Sequence, residues 1–184
     1  YNANQMNEND NNKNREYPVI DKRIKETFIK NSTAHKTKMY DMYSRFYRWA
    51  MDRLGDEGII AFITNRSFIN SRTFDGFRKT IQNEFDYCYI VDTQSDVRVN
   101  PKIAGTTHNV FGIQTGIAVM FLIRNNTNAK CNINYYTLTD EMRKEDKWQW
   151  FSESKIQNIP FEHIIPDKHN NWLNLTDNDW DSMI

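Results

Sequence analysis

Gly58-Ile59-Ile60-Ala61-Phe62-Ile63-Thr64 is an unbroken apolar run that leaves into the polar Asn65-Arg66-Ser67. A short continuous run rich in branched and aromatic side chains predicts a strand buried on both faces, as in a parallel sheet. Upstream, Met39, Tyr43, Phe46, Tyr47, Ala50, Met51 and Leu54 recur at helical spacing. They predict a helix over 39–54, with Ser44, Arg45, Arg48, Asp52 and Arg53 on its polar side and Gly55 as a left-handed cap. Further upstream, Ile20, Ile24 and Phe28 mark one face of another helix, with Asp21 in its first turn, where a negative charge suits the helix dipole. Downstream, Phe74, Phe77 and Ile81 predict a helix over 73–83, and Tyr87–Val91 a strand that ends at Asp92. A long loop, 93–109, then leads to a second buried run, Gly116–Ile123. Asn125-Asn126 signals a turn, and Cys131–Leu138 alternates as the return strand. A polar helix carrying Trp148, Trp150 and Phe151 is expected over 140–154. Helix, buried strand, helix, strand and further apolar strands together make an α/β pattern.

Composition narrows the function classes. Of 184 residues, 39% are hydrophobic and 14% aromatic, enough to fill a core. Lys and Arg balance Asp and Glu at 24 each, so a nucleic-acid surface must be a local patch and not a global field. The run Gly116–Ile123 is too short to cross a bilayer, and no secretory signal opens the chain, so a cytoplasmic protein without membrane contact is expected. Cys88 and Cys131 sit in strand-like contexts and are expected to be reduced, buried thiols. Two cysteines cannot make a multi-cysteine zinc site, and His35, His108, His163 and His169 show no paired ligand spacing, so no metal is expected. The 6 glycines never fall in a dinucleotide or Walker pattern.

The ends carry their own signals. The chain starts at Tyr1, continues through an almost purely polar, Asn-rich segment to Asn14, and closes on Ile184 where the sequence predicts the start of a new helix. These features predict an excised piece of a larger protein. Between residues 13 and 38, basic side chains outnumber acidic ones. Such an excess is ordinarily a solvated face, and phosphate contact is the alternative.

Four segments in order, GIIAFITNRSFI (58–69), RTFDGFRKTI (72–81), YCYIVDTQSDVRVNPK (87–102) and GTTHNVFGIQTGIAVMFLIR (105–124), resemble the C-terminal half of the catalytic domain of amino-group DNA methyltransferases. The resemblance is in particular to the methyltransferase part of large restriction-modification enzymes, type ISP and helicase-linked. In that family a strand ends in Asn-Pro-Pro-Tyr, followed by an Asn-rich loop and Tyr-Pro-x-Ile-Asp-x-Arg-Ile. Here Tyr1 precedes such a loop, and Tyr17-Pro18-Val19-Ile20-Asp21-Lys22-Arg23-Ile24 follows it. Tyr1 thus resembles the last residue of that motif, whose Asn and both Pro are absent from this chain.

The resemblance implies a fold: the distal half of a Rossmann-like class I S-adenosylmethionine-dependent methyltransferase sheet, with the last strand antiparallel. It implies catalytic-domain residues 1–139, and from 140 to 184 a link toward a target-recognition domain. It implies methyl transfer from S-adenosylmethionine to adenine N6 in double-stranded DNA, within a larger polypeptide that can include helicase or nuclease domains. The cofactor motif lies mostly outside this chain, so the chain alone is expected to be inactive. An exocyclic amine in a duplex must be flipped out before a methyl donor reaches it. Tyr1 is the implied catalytic stacking residue, Phe111 matches the aromatic position on the base's other side, and Asn65 lies at a strand's carboxyl end, where such sheets bind ligands. Arg98, Lys102 and His108, in the loop before Phe111, are the implied DNA contacts. Each has a plainer alternative: Phe111 as core, Tyr1 as a frayed terminus, Asn65 as a turn or cap, the others as solvated loop residues. Two rival functions stay open, a methyltransferase for another amide or amine such as protein glutamine, and a non-catalytic nucleic-acid-binding module.

Overall fold

In the computed structural model, which describes residues 16–33, 39–97, 100, 107–127 and 130–173, the run at Gly58 forms strand β1 (Gly58–Asn65). Helix α1 (Pro18–Ile24) continues through a wider turn over Lys25–Ile29, and α2 spans Met42–Arg53. After β1 come the short α3 (Ser67–Asn70), α4 (Asp75–Glu84), β2 (Tyr87–Asp92), β3 (Ile117–Arg124), β4 (Asn132–Thr137), α5 (Lys144–Glu153) and β5 (Glu162–Ile164). No helix among the described residues is long and apolar enough to cross a membrane. The Asn-rich segment, Tyr1, Arg98 and Lys102 lie outside the described residues.

The sheet runs in the order β1-β3-β2-β4-β5. β1 and β2 point the same way, with α3 and α4 between them in sequence, and β3 lies between them antiparallel to both. This is the expected α/β sheet with an antiparallel strand inserted. Two local expectations change. Cys131–Leu138 does form a strand, but not beside β3 as a hairpin would. Both edges of β3 are already taken, so β4 pairs parallel with the free edge of β2, with Tyr87 opposite Asn132. The turn that sends it there is held by Asp86, whose carboxylate accepts from the Asn125, Asn126 and Thr127 amides at 2.8, 3.0 and 3.0 Å. Nor is β1 buried on both faces: Ile59 and Ile63 are 64% and 57% exposed, because only Ile60 and its neighbours on the other face meet the helices.

That covered face holds the main core. Tyr47 of α2 meets Phe62 at 5.0 Å and Phe77 at 5.2 Å, both edge to face, and Phe77 meets Phe28 in the same way at 5.0 Å. Aromatic pairs in this geometry add about 0.5–1.5 kcal/mol each beyond their buried area. The helical period predicts Tyr43, Tyr47 and Met51 correctly as buried, but Phe46 is exposed. Arg45 and Arg48, on the expected polar side, are buried because partners meet them there. Arg45 bonds Asp21 at 2.7 and 3.0 Å, and Arg48 bonds Glu84 at 2.8 and 2.9 Å. Gly55 makes no left-handed cap; α2 stops where Leu54 turns extended.

Residues beyond 140, as far as 173, add to the same sheet and core. β5 pairs with β4, Trp172 is buried beside Phe68, and Arg78 of α4 reaches the Asn170 carbonyl at 2.6 Å. Arg78 is fully buried and also donates to the Phe68 and Ser71 carbonyls, both at 2.9 Å. Burial pushes its guanidinium down to about 10. Across the sheet, α5 and the segment after it lean over Ile63, Val91, Val119 and Phe121 and partly roof an open apolar cavity of about 470 Å³.

One glycine is required by close approach. A Cβ on Gly76 would lie 1.9 Å from the Phe28 carbonyl oxygen, so the wider turn after α1 touches α4 only because position 76 has no side chain. Overpacking at such a contact costs about 1–3 kcal/mol. Gly76→Ala is expected to lower the unfolding free energy by that amount, read as a lower urea midpoint with the slope unchanged, and a midpoint equal to that of the parent would contradict the packing.

Candidate functional site

The carboxyl ends of β1 and β2 and the amino end of β3 share one rim, with Asn65 opposite Ile117 and Asp92 opposite Ala118. The chain leaves β1 at Arg66, whose amide donates to the Gly116 carbonyl at 3.1 Å. Its guanidinium then turns inward and grips Asp92, Nε to Oδ1 at 2.9 Å and Nη2 to Oδ2 at 2.6 Å. Tyr135 of β4 donates its hydroxyl to the same carboxylate at 2.9 Å, and the Gln94 amide donates to it at 2.9 Å. Burial opposes the charge on Arg66, but the bonds and the field of Asp92 outweigh it and leave its pKa raised. Burial, then Asp92, push the Tyr135 phenol up, so it stays a donor.

From Asp92 the chain kinks. Gln94 and Ser95 take φ of 55° and 58°, the left-handed region that ordinary side chains avoid. Backbone strain of this kind costs on the order of 1–3 kcal/mol per residue and persists only where neighbours hold it. Here Thr93 is tied to the Ile117 carbonyl through both its amide, at 3.0 Å, and its hydroxyl, at 2.8 Å.

The loop returns to β3 through a tight turn built on Asn109. Its side-chain oxygen accepts from the Phe111 amide at 2.9 Å, and its side-chain nitrogen donates to the Thr115 carbonyl at 2.7 Å. Asn109 is buried, and Gly112 follows at φ 66°. The turn places Phe111 outward, 55% exposed, at the edge of the apolar cavity that Trp148, Trp150 and Ile63 also line. A large ring held out on a locked turn is not a core residue.

The other expected residues fall as follows. Asn65 stands on the same rim, and its side-chain oxygen accepts from the Ser67 amide at 2.8 Å and the Ser67 hydroxyl at 2.6 Å, shaping the entry to α3. His108 is half-buried two residues before Val110 in the loop. Its carbonyl accepts from the Ser95 hydroxyl at 3.0 Å, and its Nδ1 has no hydrogen-bond partner among the described residues. Tyr1, Arg98 and Lys102 lie outside the described residues. The groups that sequence reasoning missed are Arg66, Tyr135 and Lys147. A charged or hydroxyl side chain bordering an apolar strand was the available signal, but its partner is remote in sequence.

Neither a metal nor S-adenosylmethionine finds a ready site among these groups. No cluster of His, Cys, Asp or Glu suited to a metal occurs among the described residues. The buried acid at a strand end that could hold a ribose, Asp92, has both oxygens committed to Arg66, Tyr135 and Gln94. Both cysteines are free thiols, Cys88 buried and Cys131 half-buried, and burial pushes Cys131 up to about 12.

The model of the Eco57I restriction-modification methylase family matches residues 5–99. The DrdV–DNA complex is 49% identical, with a TM-score of 0.83 over 98% of this chain and 18% of that one. A nuclease-deletion mutant of the Type ISP restriction-modification enzyme LlaGI, in complex with a DNA substrate mimic, is 34% identical, with a TM-score of 0.86 over 99% of this chain and 15% of that one. The ATP-dependent Type ISP enzyme LlaBIII, bound to DNA, is 29% identical, with a TM-score of 0.82 over 99% and 12%. No curated protein matches. The chain thus spans less than a fifth of the length of each of these structures.

The rim pair sets a clear test. Removing one partner of a buried ion pair leaves the other charge uncompensated and costs about 3–5 kcal/mol. Arg66→Met is expected to lose stability in that range by urea unfolding. A loss below about 1 kcal/mol, the size of an exposed pair, would show that the pair is solvated.

Proposed function

Because the chain belongs to the Eco57I restriction-modification methylase family, we propose that it is the distal part of the catalytic domain of a DNA methyltransferase in a restriction-modification system, acting on adenine N6. The observation that carries this reading is Phe111, exposed on the Asn109-locked turn at the rim where β1 and β2 end. A flipped base needs a π-face to replace the stacking it loses in the duplex, and one aromatic contact is worth about 1–3 kcal/mol. Phe111 supplies one face and Tyr1 the other, Asn65 lines the rim between strand and helix, and Arg98, Lys102 and His108 meet the strand being opened. S-adenosylmethionine supplies the methyl group. It is held by polypeptide outside this chain, in keeping with the committed oxygens of Asp92. What these residues contribute is capture and orientation of the base.

The test is transfer of labelled methyl groups from S-adenosylmethionine to plasmid DNA by the full-length protein, followed by digestion to nucleosides. Label in N6-methyladenine is expected; label only in cytosine or in protein would refute the reading. The 184-residue chain alone is expected to show no calorimetric binding of S-adenosylmethionine. In the full-length protein, Phe111→Ala should reduce methylation roughly 5- to 150-fold, the equivalent of about 1–3 kcal/mol, at unchanged melting temperature. Replacing both Arg98 and Lys102 with Ala should weaken binding equally on target and non-target DNA. It should also flatten the salt dependence by roughly 0.9 in log–log slope for each lost phosphate contact, and an unchanged slope would remove the loop from the DNA surface.

A further inference from the structure

α5 is polar by composition, yet Lys147 in its middle is fully buried. Its ammonium forms no ion pair with a carboxylate among the described residues. It donates instead to the Thr93 carbonyl at 2.7 Å and to the Ser95 hydroxyl. These two acceptors flank Gln94, so one side chain bridges the strained kink that follows β2. The Ser95 hydroxyl passes the contact on by donating to the His108 carbonyl at 3.0 Å, three residues before Phe111.

Neighbours of Lys147 reinforce the link. Asp140 accepts from the Ser95 amide at 2.8 Å, the Lys144 amide donates to the Thr107 carbonyl at 3.1 Å, and the Trp148 indole donates to the Val110 carbonyl at 3.2 Å. Residues 140–148 therefore hold the long loop twice, at its departure from β2 and just ahead of Phe111. A buried ammonium is costly. Burial lowers the pKa of Lys147, with Asp140 and Asp92 opposing, and a methionine could fill the same volume without a charge. What methionine cannot do is bond the two oxygens at once.

We infer that Lys147 is a positioning residue: its ammonium locks the Thr93–Ser95 kink and, through Ser95, the turn that presents Phe111 to the flipped base. The part that concerns the base rests on the methyltransferase reading above; the lock itself does not. The test uses the full-length polypeptide carrying Lys147→Met, with Ser95→Ala as a second variant that keeps the Lys147 bond to the Thr93 carbonyl and removes the hydroxyl that links Lys147 to the His108 carbonyl.

Hydrogen exchange read by mass spectrometry should show amides of residues 107–112 exchanging about tenfold faster in both variants, with peptides from β2 and β3 unchanged. In methylation of plasmid DNA, kcat should fall about tenfold while KM for DNA stays within about threefold, since phosphate contacts are untouched. Unchanged exchange at 107–112 in both variants overturns the inference. So does faster exchange spread evenly over β2 and β3, or a lowered melting temperature with full kcat below it, since these mark a merely structural lysine. If Lys147→Met does not fold, Ser95→Ala decides on the same readout. A parent protein that transfers no methyl group to DNA defeats the functional reading instead, and the exchange data tell the two failures apart.

Discussion

The bidentate bond between Arg66 and Asp92 is the contact on which the rim depends. It joins the residue that leaves β1 to the residue that ends β2, across the width of β3, and Tyr135 brings β4 to the same carboxylate. Desolvating two charges costs several kcal/mol per ion, and only a geometry that satisfies both carboxylate oxygens repays it. The backbone is shaped around the pair. A Cβ on Gly116 would lie 2.4 Å from Cδ of Arg66 and 2.9 Å from Cβ of Asp96, so β3 can begin beside the guanidinium only at a glycine.

From that anchor follows a division of labour between rigid and strained parts. The strands and the aromatic core beneath them are regular, and two consecutive residues at the rim, Gln94 and Ser95, take left-handed φ, as Asn126 and Asn170 do in turns elsewhere. The kink aims the long loop outward, and the turn at Asn109 brings it back. Both are tied by side chains to α5, so Phe111 is exposed without being loose. In the base-stacking role proposed for Phe111 this combination matters, since an unheld ring would lose its own freedom on binding and give back part of the stacking energy.

The two faces of the sheet are unequal for a related reason. The wider turn after α1, together with α2 and α4, fills one face with interlocking aromatic rings, while α5 and the segment after it roof only part of the other. The cavity left between them is apolar and opens at Phe111. α5, which the family resemblance puts at the start of a link to another domain, is thus both the cavity's roof and the loop's support.

The sequence by itself determined the elements and their class. Runs of apolar residues found β1 and β3, the helical period found α2 and α4, and the order of four segments pointed to the methyltransferase family, because these signals are local or depend only on order along the chain. It did not place Arg45, Arg48 and Arg78 in the interior, since their carboxylate and carbonyl partners are brought to them only by folding. It did not pair β4 with β2, because strand partners depend on which edges remain free. It gave no sign that Lys147 reaches Thr93, across 54 residues. Tertiary structure alone decided these points: a buried charge is tolerated where its partners converge, and convergence is a property of the fold and not of any one segment.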